Sequence, residues 1–418
     1  MKTQALILLL GGGLLMPSPT QAQSIPVSLD EALRTALQNN IGLKAVALEV
    51  DFQKQFKRAA TEIPKTNMLL TYGQYNTLNK DNNVTIIQSL PFPTVFTSQS
   101  KLGEMRIQSS EYRRSSSEND LLYQVKQVYL TLHFLFAREK LLTRQDSIFA
   151  DLVRITSLQY KTGEAKLLQK TTAETRYNEV QNLKRQNLAD QKVYENQLQI
   201  LMNVVQPVTV ESSPLIPLST SLVDDSSQIR NNPQLAYHRS IAAVAQQEKR
   251  VDANKAMPDI SVGYFNQTLI GFQQQVGGTE RYFSSNDRFS GFMAGIAFPL
   301  WFVPTHARIK SSSIRAQSAH LSAEYFERQL QGEWSKAVQE FRKNKVSIDY
   351  FKASALPNAQ LILHQSQLAY KAGEISQAEY RLNLQQALSI EEGYLQSVLQ
   401  YNQSIILLEF LSGTSFKK

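Results

Sequence analysis

The chain has 418 residues, no cysteine and a formal net charge of +8. Without cysteine there are no disulfides, no thiolate metal sites, no cysteine nucleophile and no N-terminal cysteine to lipidate. The positive balance invites nucleic acid, but no nucleic-acid motif accompanies it, and charged helix faces in water account for it.

Met1 and Lys2 lead into an apolar run from Ala5 to Leu15, followed by Pro17, Pro19 and Thr20-Gln21-Ala22-Gln23. A short positive start, an apolar core and small residues before a cut are the pattern of a secretory signal. The run is shorter than the roughly 20 residues of a spanning helix. Residues 1–22 are therefore expected to be a signal peptide, and the rest an exported chain without a membrane-spanning helix. A β-barrel remains open to it.

The remainder reads as two copies of one plan, residues 23–212 and 213–418. Asn39-Asn40 opens an amphipathic stretch that ends at Pro64, and Asn231-Asn232 opens another that ends at Pro258. Phe92-Pro93 matches Phe298-Pro299. Tyr160-Lys161-Thr162-Gly163-Glu164 recurs as Tyr370-Lys371-Ala372-Gly373-Glu374. Three ordered matches indicate an internal duplication. The second copy is longer between its prolines, Pro258 to Pro299 against Pro64 to Pro93.

Between those prolines the period changes from about 3.6 to 2. Met68, Leu70 and Tyr72 alternate with Asn67, Thr71 and Gly73, and Val84 and Ile86 with Thr85 and Ile87. Ile260, Val262 and Tyr264 alternate with Ser261 and Gly263, and Phe292, Ala294, Ile296 and Phe298 with Gly291, Met293, Gly295 and Ala297. These are two hairpins, about 64–93 and 258–299, with turns at Asn76 to Asn83 and about Gly271 to Asp287. Each strand has one apolar face. That suits a sheet resting on helices, or a barrel wall facing lipid. Four strands cannot close a barrel, and open edges cannot face hydrocarbon. A membrane sheet would therefore be shared among several chains. Trp301 and Phe302 suit either an aromatic belt or ordinary packing.

From Thr94 to Gln206 there is no proline, and glycine occurs only at Gly103 and Gly163. Such a stretch predicts long helices, since proline breaks helix interiors. A helix from Ser98 to Gln159 would measure about 90 Å, and its partner from Lys166 to Met202 would return beside it. Leu121, Val125, Val128, Leu132 and Leu135 form one coiled-coil seam. A wetter seam runs through Ala173, Tyr177 and Val180, polar Lys184 and Asn187, then Tyr194, Leu198 and Leu201. A third passes Leu384, Ala387, Tyr394, Val398 and Tyr401. Gly163 and Gly373 are placed to close the two helical hairpins. Pro357 predicts a kink or break in the second.

No P-loop lysine motif, Gly-x-Ser-x-Gly, His-Glu-x-x-His or dinucleotide fingerprint is present. The histidines, His133, His238, His306, His320 and His364, are scattered. No enzyme activity, cofactor or metal site is expected.

The order of signal, amphipathic helix, hairpin, Phe-Pro, long helix, Tyr-x-x-Gly tip and returning helix, repeated, resembles the TolC family of outer-membrane efflux ducts over about Ser24 to Gly413. The resemblance implies a mainly α fold with a small β part. Long helical hairpins would form a periplasmic tunnel. Four strands per chain would enter a shared 12-strand barrel of a homotrimer in outer-membrane lipid. It implies a passive channel working with a periplasmic adaptor and an inner-membrane pump. Adaptor contacts would fall on Tyr160, Gly163, Glu164 and Ala165, and on Tyr370, Gly373, Glu374 and Ile375; the same residues would also serve simply to close the turns. Of the acidic ring that narrows some members, Glu379 matches the first position and Leu382 stands at the second, while Ile375 stands where those members have an arginine that helps lock the closed state. Glu379 is either a pore constriction or a solvated helical glutamate. Residues 60–66 and 88–94 resemble the heavy-metal branch, which implies cation cargo and a proton-driven cation exporter as the pump. The rival reading is a soluble periplasmic coiled-coil scaffold.

Overall fold

A computed structural model describes residues 25–59, 62–211, 213–220, 226–274 and 277–414. The expected signal peptide lies outside the described residues. The chain is mainly helical with a small sheet at one end.

A short strand β1 (Ile25–Val27) leads into α1 (Leu29–Asn39), whose N-cap Ser28 accepts a hydrogen bond from Glu31 N–H. Asn40 ends α1 and caps α2 (Ile41–Ala59) by accepting from Leu43 N–H at 3.0 Å. The β2–β3 hairpin follows (Asn67–Gly73 and Asp81–Leu90). The expected turn is shorter than read, because β3 begins at Asp81. Helix α3 (Pro93–Lys161) has 69 residues, about 100 Å at 1.5 Å per residue. It begins earlier than Ser98 because proline is well tolerated in a first helical turn. Helix α4 (Leu167–Met202) returns, and β4 (Val208–Val210) pairs in parallel with β1.

In the second half Asn232 caps α5 (Pro233–Asn254) by accepting from Gln234 and Leu235 N–H. Strands β5 (Asp259–Gln267) and β8 (Phe289–Ala297) frame a separate small hairpin, β6 (Gly271–Gln274) and β7 (Glu280–Phe283). The sequence pattern predicts only a turn here, about Gly271 to Asp287. The strands of the small hairpin are too short for period-2 patterning to reveal. The sheet runs β2-β3-β5-β8, antiparallel throughout.

Helix α6 (Phe302–Tyr350) continues through a π-helical turn, Phe351–Ala355, into α7 (Leu356–Ala372). The expected break is this turn. Pro357 has no N–H to bond back one turn earlier, and the wider turn accommodates its ring. Helix α8 (Gln377–Ser412) returns beside it.

Helix α3 organises the layer. Near the sheet it packs between α2 and α5, with α6 beyond α5; further away it packs between α4 and α8, with α6 and α7 beyond α8. The first two seams read from the sequence meet along α3 and α4, and the third divides: Leu384 clusters with Leu141 and Phe149 of α3, whereas Val398 and Tyr401 cluster with Trp334 and Phe341 of α6. Val125 and Leu132 are fully buried, as are Leu198 and Val398. Asn187 is buried because its amide donates to Leu135 C=O at 3.0 Å, and Lys184 pairs with Asp146. Helices α3 and α8 are further joined by Lys126–Glu409 at 2.7 Å, Arg138–Glu392 at 3.0 Å and Arg144–Glu391. Residues 213–218 cross this pair as a strap. Buried Asn402 holds it, accepting from Leu218 N–H and donating to Ile216 C=O, both at 2.8 Å.

Candidate functional site

The two hairpin tips lie at the end of the layer away from the sheet. At the first, Gly163 has φ +81°, which lets the chain turn out of α3. Glu164 N–H donates to Gln159 C=O at 2.8 Å and Gly163 N–H to Tyr160 C=O at 3.2 Å. These are the two bonds of a Schellman closure. Ala165 is buried, and its N–H also reaches Gln159 C=O. At the second tip Gly373 has φ +75°, and Glu374 N–H to Ala369 C=O and Gly373 N–H to Tyr370 C=O repeat the closure.

Each tip tyrosine is covered by a residue of the returning helix. The Lys170 ammonium lies 5.5 Å from the Tyr160 ring centre, and Tyr380 stacks on Tyr370 at 4.7 Å. Burial raises the phenol pKa of both Tyr370 and Tyr380. Sequence reasoning missed these partners, although both stand at the same distance after their tyrosine. Glu164 and Glu374 are exposed, and Ile375 is half-buried.

Glu379 sits in the first turn of α8. Its carboxylate accepts from Ser376 N–H at 2.8 Å while Glu379 N–H donates to Ser376 Oγ at 3.2 Å. This reciprocal pair is a capping box. The Ser376 backbone and hydroxyl hold the carboxyl below its usual pKa. At the matching place in the first half, Gln169 Oε1 accepts from Lys166 N–H at 2.7 Å. Leu382 is exposed. The tips are tied together where Gln377 donates to Thr156 Oγ1, a fully buried hydroxyl near the end of α3.

At the opposite end, the sheet register puts Met68, Ile86, Tyr264 and Phe292 in one row across the four strands. Leu70, Tyr72, Val262 and Ile296 share that face, and Phe292 is 88% and Tyr72 73% exposed. The other face is mixed: it carries Asn67, Thr71, Asn83, Thr85, Gly263 and Gly295 together with Leu69, Ile87 and Met293, and Phe265 lies over Gly291. Among the described residues, strands β2 and β8 each have a partner on one side only. Below β8, Trp301 is 82% and Phe302 69% exposed, so neither packs inside the chain.

Among the described residues no group of His, Cys, Asp and Glu is placed to hold a metal, and no helix is long and apolar enough to cross a membrane.

The chain matches no protein-family model and no curated protein sequence. Solved structures do resemble it. The Campylobacter jejuni CmeC outer membrane channel aligns over 93% of this chain and 86% of its own, with TM-score 0.73 and 14% identity. CusC, described for its folding and transmembrane channel formation, covers 96% and 95% with TM-score 0.73 and 16% identity. The open-state Neisseria gonorrhoeae MtrE outer membrane channel covers 95% and 93% with TM-score 0.70 and 15% identity. The chain thus has the fold of these outer-membrane channels over nearly its full length.

Proposed function

We propose that this chain is the outer-membrane duct of a tripartite efflux pump, a TolC-type passive channel from periplasm to exterior. The observation that carries it is a sheet with an exposed apolar face and two edges unpaired among the described residues, joined directly to a helix, α3, about 100 Å long. Water solvates neither feature well: exposed apolar faces and open edges invite association. A lipid bilayer suits the apolar face, and pairing β8 with β2 of another copy removes the edges.

Three copies would give one barrel of 12 strands. The apolar rows then face lipid and the Asn- and Gly-containing face lines the lumen. Trp301 and Phe302 mark the periplasmic boundary. The helical layer has matching unpartnered stripes at its two edges. On α2 these are Ile41, Leu48 and Phe52, and on α6 Ile314, Leu321 and Tyr325, all exposed and all helically spaced. Packing one stripe on the other continues the layer into a tunnel. A soluble scaffold would leave both stripes and the sheet face in water.

At the far end the tips, with Tyr160, Gly163, Glu164 and Ala165 and with Tyr370, Gly373, Glu374 and Ile375, are the adaptor-docking surface. Glu379 acts there mainly as a helix cap, so closure of this end rests on other contacts. The pump partner supplies energy. Heavy-metal cations are the favoured cargo, a choice that rests on the resemblance of residues 60–66 and 88–94. Deleting the gene and scanning sensitivity to copper, zinc, cobalt, dyes and antibiotics tests both levels. Sensitisation to the metals is the expected result. Sensitisation to dyes or antibiotics alone would overturn the cargo, and no sensitisation to any of them would overturn the duct.

A further inference from the structure

We propose that neighbouring copies are latched at the outer rim by an apolar contact between the β2–β3 turn of one copy and the β6–β7 hairpin of the next. The inference rests on the shared-barrel reading and adds a contact above the strands.

Both features carry apolar side chains that the described residues leave exposed. In the polar turn after β2, Leu78 is 91% and Tyr75 56% exposed. On the hairpin, Phe272 and Tyr282 meet edge to face, centroids 5.3 Å apart, yet remain 71% and 53% exposed. Lipid tails do not cover them. The apolar rows of the sheet end at Tyr72 and Asn82 on one hairpin, and at Tyr264 before polar Asn266 on the other. The turn and the β6–β7 hairpin both lie beyond that limit.

Their positions on the chain's two open edges choose the occupant. The turn is carried by β2 and the small hairpin leads directly into β8, the two strands that lack a second partner. Strand β8 runs opposite to β2, so pairing β8 with a neighbour's β2 continues the antiparallel pattern. That pairing brings one copy's hairpin beside the next copy's turn.

Asp81 holds both features in place. Its buried carboxylate accepts from Thr77 Oγ1 at 2.7 Å in the turn, and from Ile270 N–H at 2.8 Å and Thr268 Oγ1 at 3.1 Å at the base of the hairpin. Asn79 adds a bond to Ile270 C=O at 2.9 Å. With its base fixed, each apolar pair is presented outward instead of folding onto the other pair of the same copy.

Because the chain contains no cysteine, disulfide trapping gives a clean test. The paired variants are Leu78→Cys with Tyr282→Cys and Leu78→Cys with Phe272→Cys, oxidised in the full-length protein in outer membranes. The expected result is a ladder of covalent dimer and trimer on a non-reducing gel, removed by reductant and absent for Leu78→Cys alone. No oligomer from either pair, in particles whose light-scattering mass corresponds to three copies, would overturn the latch and leave the barrel standing. A cross-link confined to one copy would overturn it too. A mass of one copy per detergent particle would overturn both.

Discussion

Tyr380 lies flat on Tyr370 at the second tip, ring centroids 4.7 Å apart and planes 3° apart. At the first tip Lys170 takes the matching place over Tyr160. Aromatic pairs contribute about 1 kcal/mol beyond burial, and an exposed cation over a ring about half that. The second tip is thus the more firmly closed of the two. Tyr380→Ala is expected to loosen it, read as faster hydrogen exchange over residues 369–380. Lys170→Ala should change the first tip less, and Tyr380→Phe should behave as wild type.

The left-handed glycines close the turns. Gly373→Val places a β-branched residue at φ +75°, a conformation that costs roughly 1–2 kcal/mol for L-residues. Efflux should fall while the strands still assemble, because the tip is remote from the sheet. Gly373→Asn should be tolerated. Normal efflux in Gly373→Val and in the equivalent Gly163→Val would contradict the role of the tips.

Glu379 separates capping from gating. Glu379→Gln keeps an acceptor for Ser376 N–H and removes the charge. A cap role leaves the cation selectivity of the pore unchanged and makes Glu379→Ala the harmful variant. A drop in cation selectivity for Glu379→Gln, measured in planar bilayers, would restore the constriction reading.

His133 gives stability a pH dependence. Burial lowers its pKa, and nearby Glu211 only partly opposes this; its Nε2 is buried without a hydrogen-bond partner among the described residues. The unfolded chain therefore binds the proton more readily, and its ordinary pKa is about 6.5. The stability contribution is fully present above that value and is lost as pH falls from there through the lower folded-state pKa. Melting temperatures from pH 8 to pH 5 should fall more steeply for wild type than for His133→Gln.

Asn402 fixes the strap. Asn402→Leu removes the bonds to Leu218 N–H and Ile216 C=O; Ile216 and Leu218 are themselves exposed, so the loss is about 0.5–1.5 kcal/mol per hydrogen bond. Faster protease cleavage within residues 213–220 is the expected readout.

Much of this was legible because it follows from period and punctuation. Val125 and Leu132 announced the α3 seam by spacing, Gly163 and Gly373 the turns, and the change of period the four strands. Other features depend on which residues meet. Nothing in the spacing of Glu379 separates a cap from a gate until Ser376 is seen bonded to it. The β1–β4 pair and the β6–β7 hairpin are too short for a periodic signal. The Tyr370–Tyr380 stack needed the returning helix to be in place, and the covering residue differs in kind between the halves.

Electron cryo-microscopy of the protein recovered from membranes tests the central claim most directly. The expected image is three copies around one axis, their strands closed into a single barrel that continues into one helical tunnel. A single copy recovered from the soluble periplasmic fraction, its four-stranded sheet open to water, would contradict it.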